Sequence, residues 1–520
     1  MCRNFRPVAV LRRVAASFVV QLVALAVSFA DRVVLVGILL RAWGTDLYSD
    51  WATLMAAAGL VTLGELGLNV YFGNQWQKAH AEADAARFQR VIGLSLTAYT
   101  AIGTVLAGLV VLFVTSVDVS AALSLKVICP GTAALVFLIL AAAGLLRLLR
   151  GSISQIYRGR GQFAVGLWID LIPVASGVAL VGAAGAAGAS PSMAAVIYVA
   201  ADLVFGWVVM LWDQRRRYGC IHYAFAIPTV AELRDLLSKA GGYALVQGTP
   251  VAWQQAPVLI IGLLGYSGRA LVSFVLARTL VNFTRQIATM LTLSVGVEVA
   301  AARYAGDGTA ALRIVPEFGR LLSGAIGALS GGLVMFAAPL VTLWSGRPEL
   351  VDVGVLVWLL APAILVVPAL PLAAILSYVN QPGPAAASGV LQLGMGLAAA
   401  VILSLPFGLY GIAAGLALGE AIALGAVMPM LARRKIGLKE GGLKDGGYLV
   451  YLSMCVMAFG TAAAWSAAAA WGALWLIAPA TMPGLLGAGI IWAAIGLLPA
   501  LYASSSAGYR SIMRKWLSSP

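Results

Sequence analysis

The chain has few charged residues for its length. Only 10% of its 520 residues are Asp, Glu, Lys or Arg, whereas soluble domains have roughly 25%. The hydrophobic share is 61% and the mean hydropathy is +0.95. A compact core cannot hide so much apolar surface, so we expect lipid to surround most of the chain.

Histidine and cysteine are scarce and scattered. The chain has two histidines and four cysteines, with no CxxC spacing, and this pattern predicts neither a metal site nor a disulfide framework. No Ser-His-Asp constellation, P-loop or dinucleotide fingerprint is present. We therefore expect no catalytic residues, metal or cofactor, and a protein that is not an enzyme.

The formal net charge of +14 could suggest a nucleic-acid partner. However, Lys and Arg lie in short clusters between long apolar runs, and no basic face with interleaved aromatic residues is present. This distribution is typical of the cytoplasmic anchoring of a membrane bundle, and it excludes a nucleic-acid partner.

Breakers and charge clusters divide the apolar runs into about fourteen segments, each long enough to cross a bilayer as a helix. We predict an all-α polytopic membrane bundle whose spans lie near residues 14–40, 47–73, 91–115, 121–146, 165–186, 193–212, 240–264, 270–298, 321–344, 351–378, 386–405, 409–433, 447–471 and 476–503.

Positive charge alternates between the two sets of connecting loops. The N-terminus, the C-terminal tail and the loops 74–90, 147–164, 213–239, 299–320 and 433–446 together hold 27 of the 34 Lys and Arg residues. Because cytoplasmic loops are enriched in Lys and Arg, we predict that both termini are cytoplasmic. The opposite loops are too short to form a folded domain, so the functional surface should lie within the bundle.

An internal repeat emerges when the chain is shifted by 224 residues. Residues 34–49 then lie over 258–273 with seven identities, including Gly44 with Gly268 and Ser49 with Ser273. This register pairs the first span with the seventh and the second with the eighth. Six helices in each unit predict two pseudo-symmetric lobes in the same orientation, followed by two additional helices.

The repeat predicts four regions. They are an N-terminal six-helix lobe (1–212), a cytoplasmic linker (213–239), a C-terminal six-helix lobe (240–435) and two further spans with a basic tail (436–520). In the linker, Thr229 and Glu232 have the spacing of a capping box. Leu233, Leu236 and Leu237 share one face, which predicts a short amphipathic helix at the membrane interface.

Ionisable residues inside the predicted spans are few and costly, so they mark a hydrated cavity by default. Arg278 and Arg285 are seven residues apart with Asn282 between them, and Arg32 lies on the first span. Arginines on a cavity wall can bind phosphate oxygens bidentately, so these four residues are our substrate-binding candidates. Asp31, Glu65 and Asp170 are candidates for either ion coupling or structural pairing.

Two prolines, Pro250 and Pro257, flank polar residues in the seventh span. They predict a kinked segment, because each proline removes a helical hydrogen bond. A hinge is the functional interpretation, and a tolerated kink in a packed helix is the structural one.

Several segments resemble one family. They are Leu63-Gly64-Glu65-Leu66-Gly67-Leu68-Asn69 with the charged segment 79–90 that follows, Tyr157-Arg158-Gly159-Arg160-Gly161-Gln162-Phe163, and Gly241-Gly242-Tyr243. These segments, together with the order of helices, resemble polysaccharide flippases of the Wzx type. That family belongs to the MOP superfamily, which also holds the lipid II flippases and the MATE multidrug exporters.

The resemblance implies alternating access that moves a polyprenyl-diphosphate-linked oligosaccharide across the cytoplasmic (inner) membrane for export of cell-surface polysaccharide such as O-antigen or exopolysaccharide. It implies that Arg32, Arg278 and Arg285 face the diphosphate, and that the bilayer and other polysaccharide assembly proteins are partners. A cation-coupled MATE-like exporter is the alternative, and a membrane polysaccharide polymerase or glycosyltransferase is a further one.

Overall fold

The structure is a computed structural model. It describes Val20 and residues 23–65, 67–219, 221–304, 310–378, 383–436 and 445–498. Every regular element within these ranges is helical, which confirms the predicted all-α membrane bundle. The N-terminal arginines, residues 379–382 between two predicted spans, and the basic tail lie outside the described residues.

The chain divides into two compact halves, Met1–Gly268 and Arg269–Pro520. The helices of the first half are a π-helical turn Ala30–Leu35, α1 Val36–Gly59, a 3-10 turn Leu60–Glu65, α2 Leu68–Ala81, α3 Ala85–Ser116, a short helix Val119–Ala122, α4 Pro130–Gly159, α5 Phe163–Ala186, α6 Pro191–Arg217 and α7 Val230–Leu263.

The second half is equally helical. Its elements are α8 Arg269–Tyr304, α9 Ala310–Ser345, a 3-10 turn Pro348–Leu350, α10 Val353–Leu360, α11 Ala363–Tyr378, α12 Gly383–Glu420, a π-helical turn Ala421–Val427, α13 Met428–Ile436, α14 Asp445–Ile477 and α15 Met482–Gly496. Contacts place α7 in the first half, while the predicted lobe boundary at residue 240 rests on repeat symmetry and stays a prediction.

Among the described residues, eight helices are long and apolar enough to cross a membrane, or nine if the bent pair Pro348–Leu360 and Ala363–Leu376 forms one span. Two of the eight, Val23–His80 and Gly383–Lys435, contain a break. Gly44 has φ 77° and Gly408 has φ 58°, a conformation that glycine adopts without steric cost. The predicted boundaries near residues 41–46 and 405–409 coincide with these two glycines, while the count of fourteen spans stays a prediction.

The predicted loop 147–164 is wrong over most of its length. Helix α4 continues to Gly159, so Arg147 and Arg150 lie inside a helix. Arg150 is only 7% exposed. The helix continues because no proline interrupts it there and because carboxylates from two other helices neutralise both arginines. Without these two, the loops assigned to the cytoplasmic side still hold 25 of the 34 Lys and Arg residues.

The linker begins and ends differently from the prediction. Helix α6 runs to Arg217, and the predicted amphipathic helix is the first part of α7. Between them, residues 221–229 form a non-helical segment against α3, where the Thr97 hydroxyl donates to the carbonyl of Ala226 at 2.9 Å. The capping box of Thr229 and Glu232 is confirmed, and it starts α7.

Helices α14 and α15 pack tightly against α9. At Gly327 and Gly331 of α9, an added Cβ would collide with the carbonyl oxygens of Phe459 and Ala463 on α14. The hydroxyl of Ser466 on α14 donates to the carbonyl of Ala328 at 2.6 Å, and Trp492 on α15 donates to that hydroxyl at 2.8 Å. Glycine and serine therefore allow α14 and α15 to pack closely against α9.

Candidate functional site

A buried ion pair joins α8 to the end of α12 in the second half. Nη2 of Arg285 lies 2.6 Å from Oε2 of Glu420 and donates a second hydrogen bond to the carbonyl of Leu359 at 3.3 Å. The Glu420 side chain is 6% exposed and that of Arg285 is 30% exposed. The carboxylate is thus buried, while the Arg285 side chain keeps part of its surface exposed.

Arg278 contributes a second positive charge to the same carboxylate. It is 9% exposed, lies two helical turns before Arg285 on α8, and interacts electrostatically with Glu420. Asn282 is half-buried between the two arginines in the sequence. Two guanidinium groups therefore interact with one carboxylate here.

The first half contains a larger charge network. On α4, Nε of Arg147 lies 3.3 Å from Oδ1 of Asp202, and Nη2 of Arg150 lies 3.5 Å from the same oxygen. Nη1 of Arg150 also lies 3.3 Å from Oδ1 of Asp170, whose other oxygen accepts from Ser154 at 2.8 Å. Helices α4, α5 and α6 are therefore joined by ionic contacts.

The predicted residues of the first span join this network. Asp31 and Arg32 lie in the π-helical turn Ala30–Leu35, and Asp31 interacts electrostatically with both Arg32 and Arg147. Within this network, three carboxylates (Asp31, Asp170 and Asp202) accompany three arginines (Arg32, Arg147 and Arg150), so the formal charges of these six residues balance.

Glu65 lies among different partners. It ends the 3-10 turn Leu60–Glu65 and hydrogen-bonds to Asn69, whose Oδ1 accepts from the Tyr99 hydroxyl at 2.7 Å. Among the described contacts of Glu65, the partners are neutral hydrogen-bonding groups, whereas Asp31 and Asp170 interact with arginines. The structure thus brings two of the three candidate coupling carboxylates into one network and places the third elsewhere in the first half.

The two predicted hinge prolines both lie inside α7. The helix keeps its helical conformation from Val230 to Leu263 through Pro250 and Pro257. A hinge role for these prolines stays a prediction. No group of three or more His, Cys, Asp or Glu residues that could hold a metal ion occurs within the part of the chain that the structure describes.

Sequence reasoning missed Arg147 and Arg150 as site residues because it assigned them to a loop. A usable signal was present, because the apolar pattern of Leu145 and Leu146 continues through Leu148 and Leu149 with no helix breaker between them. Two arginines three residues apart in such a pattern can lie on one face of a helix, so they do not by themselves indicate a loop.

A second internal repeat links the two networks. Shifting the chain by 218 residues aligns the end of α6 with the segment from Glu420 to Lys435. The shift gives identities at Val209 and Val427, Met210 and Met428, Arg215 and Arg433, and Arg216 and Arg434, and it places Asp202 over Glu420. A π-helical turn begins at Asp202 and another begins immediately after Glu420.

No protein-family model and no curated protein matches the chain. Solved structures do match. A structure of the lipid II flippase MurJ in an inward closed conformation matches with a TM-score of 0.64 and 12% identity, covering 97% of this chain and 100% of that chain.

Two MATE structures match as well. An inward-facing multidrug resistance MATE family transporter of the MOP superfamily has a TM-score of 0.59 and 15% identity, covering 79% of this chain and 94% of that chain. A MATE in complex with MaD3S has a TM-score of 0.58 and 16% identity, covering 83% and 96%. The chain is thus a multi-pass membrane protein with the fold of MOP-superfamily transporters.

Proposed function

We propose that the chain is a flippase that moves a polyprenyl-diphosphate-linked oligosaccharide across the cytoplasmic membrane by alternating access, and that it catalyses no covalent reaction. The observation that carries the proposal is the group formed by Arg278, Arg285 and Glu420. Its two guanidinium groups suit a diphosphate, because guanidinium groups bind phosphate oxygens with paired, charge-assisted hydrogen bonds.

The similarity to the MurJ structure supports the same proposal, since that protein is a lipid II flippase and its whole length is covered. In this proposal Arg278, Arg285 and Asn282 contact the headgroup, and Arg32 is the further candidate in the first half. The glycan crosses through a hydrated path while the lipid tail stays in the bilayer. The proposal includes both termini on the cytoplasmic side and association with other polysaccharide assembly proteins.

A cation-coupled exporter of the MATE type is the second candidate. The observation that favours it is the set of carboxylates Asp31, Asp170 and Asp202 in the first half, since carboxylates in a membrane span serve proton or cation coupling in many transporters. The same carboxylates could couple a flippase to an ion gradient, so they do not decide between the two substrates.

Replacing Arg278 by Ala tests the flippase proposal. We expect surface polysaccharide to fall by at least about tenfold in cells that depend on this chain, because a charge-assisted contact to the diphosphate is lost. The measurement is immunoblotting of exported glycan, normalised to the amount of chain in the membrane.

Arg347→Ala is the matched control, because Arg347 also pairs with a glutamate in the second half, at 3.6 Å from Glu349, but both side chains are exposed. Unchanged export by Arg278→Ala at normal abundance would refute the diphosphate role. Drug sensitivity that changes while glycan export does not would favour the MATE-type exporter instead.

A further inference from the structure

Helix α7 has a polar flank inside its predicted membrane span. Gln247 and Gln254 are both exposed, and their separation of seven residues, about two helical turns, places them on the same side of the helix. Counted back from Leu263, where α7 ends, Gln254 lies about 14 Å and Gln247 about 24 Å along a hydrocarbon layer of about 30 Å. Side-chain amides at this depth need water or polar groups as partners, because lipid tails offer no hydrogen bonds.

The opposite flank of α7 is apolar. Leu245 and Leu263 are 48% and 62% exposed, and they share one side of the helix because 18 residues make five turns. Gln254 follows Leu245 by nine residues, or two and a half turns, so it lies on the other side. Exposed leucine suits a surface against lipid, whereas exposed glutamine suits a surface against water.

The composition of α7 agrees with this division. Among the described residues, eight helices are long and apolar enough to cross a membrane, and α7 is not one of them although it has 34 residues. The polar flank is also covered at one end, since Ile261 lies seven residues after Gln254 on the same side and is 0% exposed. The apolar flank, by contrast, is exposed as far as Leu263. A flank that is open around two glutamines and closed two turns further on is typical of the wall of a recess.

A third face of α7 packs within the first half and fixes the rotation of the helix. Gly248 lies against the side chain of Leu63, and an added Cβ at Gly59 would lie 2.8 Å from Nε2 of Gln255. Gly248 and Gln255 each directly follow a residue of the polar flank in the sequence. This packing therefore sets the direction in which Gln247 and Gln254 leave the helix.

We propose that Gln247 and Gln254 bind hydroxyl groups of the transported oligosaccharide and so contribute to the selection of its glycan. A side-chain amide donates and accepts hydrogen bonds, as a sugar hydroxyl does. It carries no charge, so it suits the neutral glycan rather than the diphosphate, which guanidinium groups bind better. The inference rests on the proposed function, because it names residues that recognise another part of the same substrate.

The test uses the full-length chain in nanodiscs with two probes, farnesyl diphosphate and farnesyl diphosphate that carries N-acetylglucosamine on its terminal phosphate. The natural chain should bind the sugar-bearing probe more tightly. We expect Gln247→Leu and Gln254→Leu each to weaken binding of that probe by about fivefold, because one hydrogen-bonding side chain is lost. Binding of farnesyl diphosphate should not change. Leucine is of similar size and is favourable in a membrane helix, so both variants should fold.

Gln255→Leu is the matched control. It makes the same substitution at the next residue, on the face that packs near Gly59 rather than on the polar flank. This variant should bind both probes as the natural chain does.

A second measurement tests the polar flank without any substrate. In a chain whose four native cysteines are replaced by serine, Gln247→Cys and Gln254→Cys should react with the water-soluble reagent 2-sulfonatoethyl methanethiosulfonate. Leu245→Cys should not react, because a thiol reacts as its thiolate, which lipid does not solvate. The sugar-bearing probe should slow the labelling of Gln254→Cys.

The outcomes separate the inference from the proposed function. If both leucine variants bind the sugar-bearing probe normally while Arg278→Ala binds both probes weakly, the inference is overturned and the proposed function stands. If Arg278→Ala binds both probes normally, the proposed function is refuted at its own residue and the inference falls with it. Equal losses of the two probes in the leucine variants, equal affinity of the natural chain for both probes, or labelling of Leu245→Cys as fast as that of Gln254→Cys would also overturn the inference.

Discussion

The first and second halves place the same kind of ion pair in different surroundings. In the first half, Asp202 contacts two arginines and the wider network balances three carboxylates against three arginines. In the second half, Glu420 interacts with Arg278 and Arg285. The comparison teaches that a repeat can keep a carboxylate at one position while a different helix supplies its arginine partners, α4 in the first half and α8 in the second.

The most direct test of this comparison is to replace the buried carboxylate of each half, Asp202 or Glu420, in turn. Asp202→Ala leaves two arginines, one of them almost fully buried, without their shared partner, and we expect a loss of about 3 to 4 kcal/mol in the free energy of unfolding. Glu420→Ala should lose less, about 2 kcal/mol, because Arg285 is partly exposed and keeps its bond to the Leu359 carbonyl. Denaturation in mild detergent measures both.

Glu349→Ala is the control for these two variants. It removes a carboxylate from an exposed pair with Arg347, and exposed ion pairs contribute about 0 to 1 kcal/mol. If Glu420→Ala destabilised the chain more than Asp202→Ala, the first half would not be the more tightly paired of the two.

A second difference between the halves is the pair of extra helices α14 and α15 on the second. Gly331→Ala should destabilise the second half by about 1 to 3 kcal/mol, because the new methyl group would collide with the carbonyl of Ala463 and force α9 and α14 apart. The measurement is thermal unfolding together with the protease sensitivity of α14.

Gly460→Ala on α14 is the matched control. An added Cβ there meets nothing within 4 Å, so we expect no loss and a gain of up to about 1 kcal/mol from helix propensity. Equal effects of Gly331→Ala and Gly460→Ala would show that close packing at Gly331 does not hold α14 in place.

Much of the fold could be predicted because each membrane helix is determined by residues that are neighbours in the sequence. Long apolar runs give the helices, and glycines such as Gly44 and Gly408 mark the breaks within them. Arg278 and Arg285 could be assigned to one site because seven residues are about two helical turns. Each of these inferences needs only neighbouring residues.

The partners of the buried charges could not be predicted in the same way. Arg285 and its partner Glu420 are 135 residues apart, and Arg147 and Asp202 are 55 apart. Nothing in the sequence around Arg147 indicates that a carboxylate of α6 will neutralise it, and an arginine without such a partner belongs in a loop. The repeat that aligns Asp202 with Glu420 was a signal in the sequence, but its meaning depends on these tertiary contacts.

A third difference concerns the linker, whose described contacts lie in the first half. Nε of Arg90 on α3 lies 2.7 Å from Oε1 of Glu232, and Nη2 donates to the other oxygen at 2.8 Å. Glu232 lies in the first turn of α7, ahead of the predicted seventh span. Hydrogen bonds from Arg90 lower the pKa of Glu232 from 4.5 to about 2.

The sign of the pH effect follows from this pKa. Because the pKa of Glu232 is lower in the folded chain than in the unfolded chain, the pair contributes stability above pH 4.5 and loses it as the pH falls from 4.5 to about 2. Arg90→Ala should raise the pKa of Glu232 and weaken this dependence. At neutral pH, amide hydrogen exchange in the first turn of α7 should speed up by only about twofold, because the pair is exposed.

Arg87→Ala, which removes an exposed contact of α3 with Glu82 at 2.8 Å, is the control and should leave exchange in α7 unchanged. If exchange in α7 of Arg90→Ala keeps the full dependence on pH that Glu232 is expected to cause, the prediction is wrong. The linker would then be held in the first half by backbone contacts alone, such as the hydrogen bond from Thr97 to the carbonyl of Ala226.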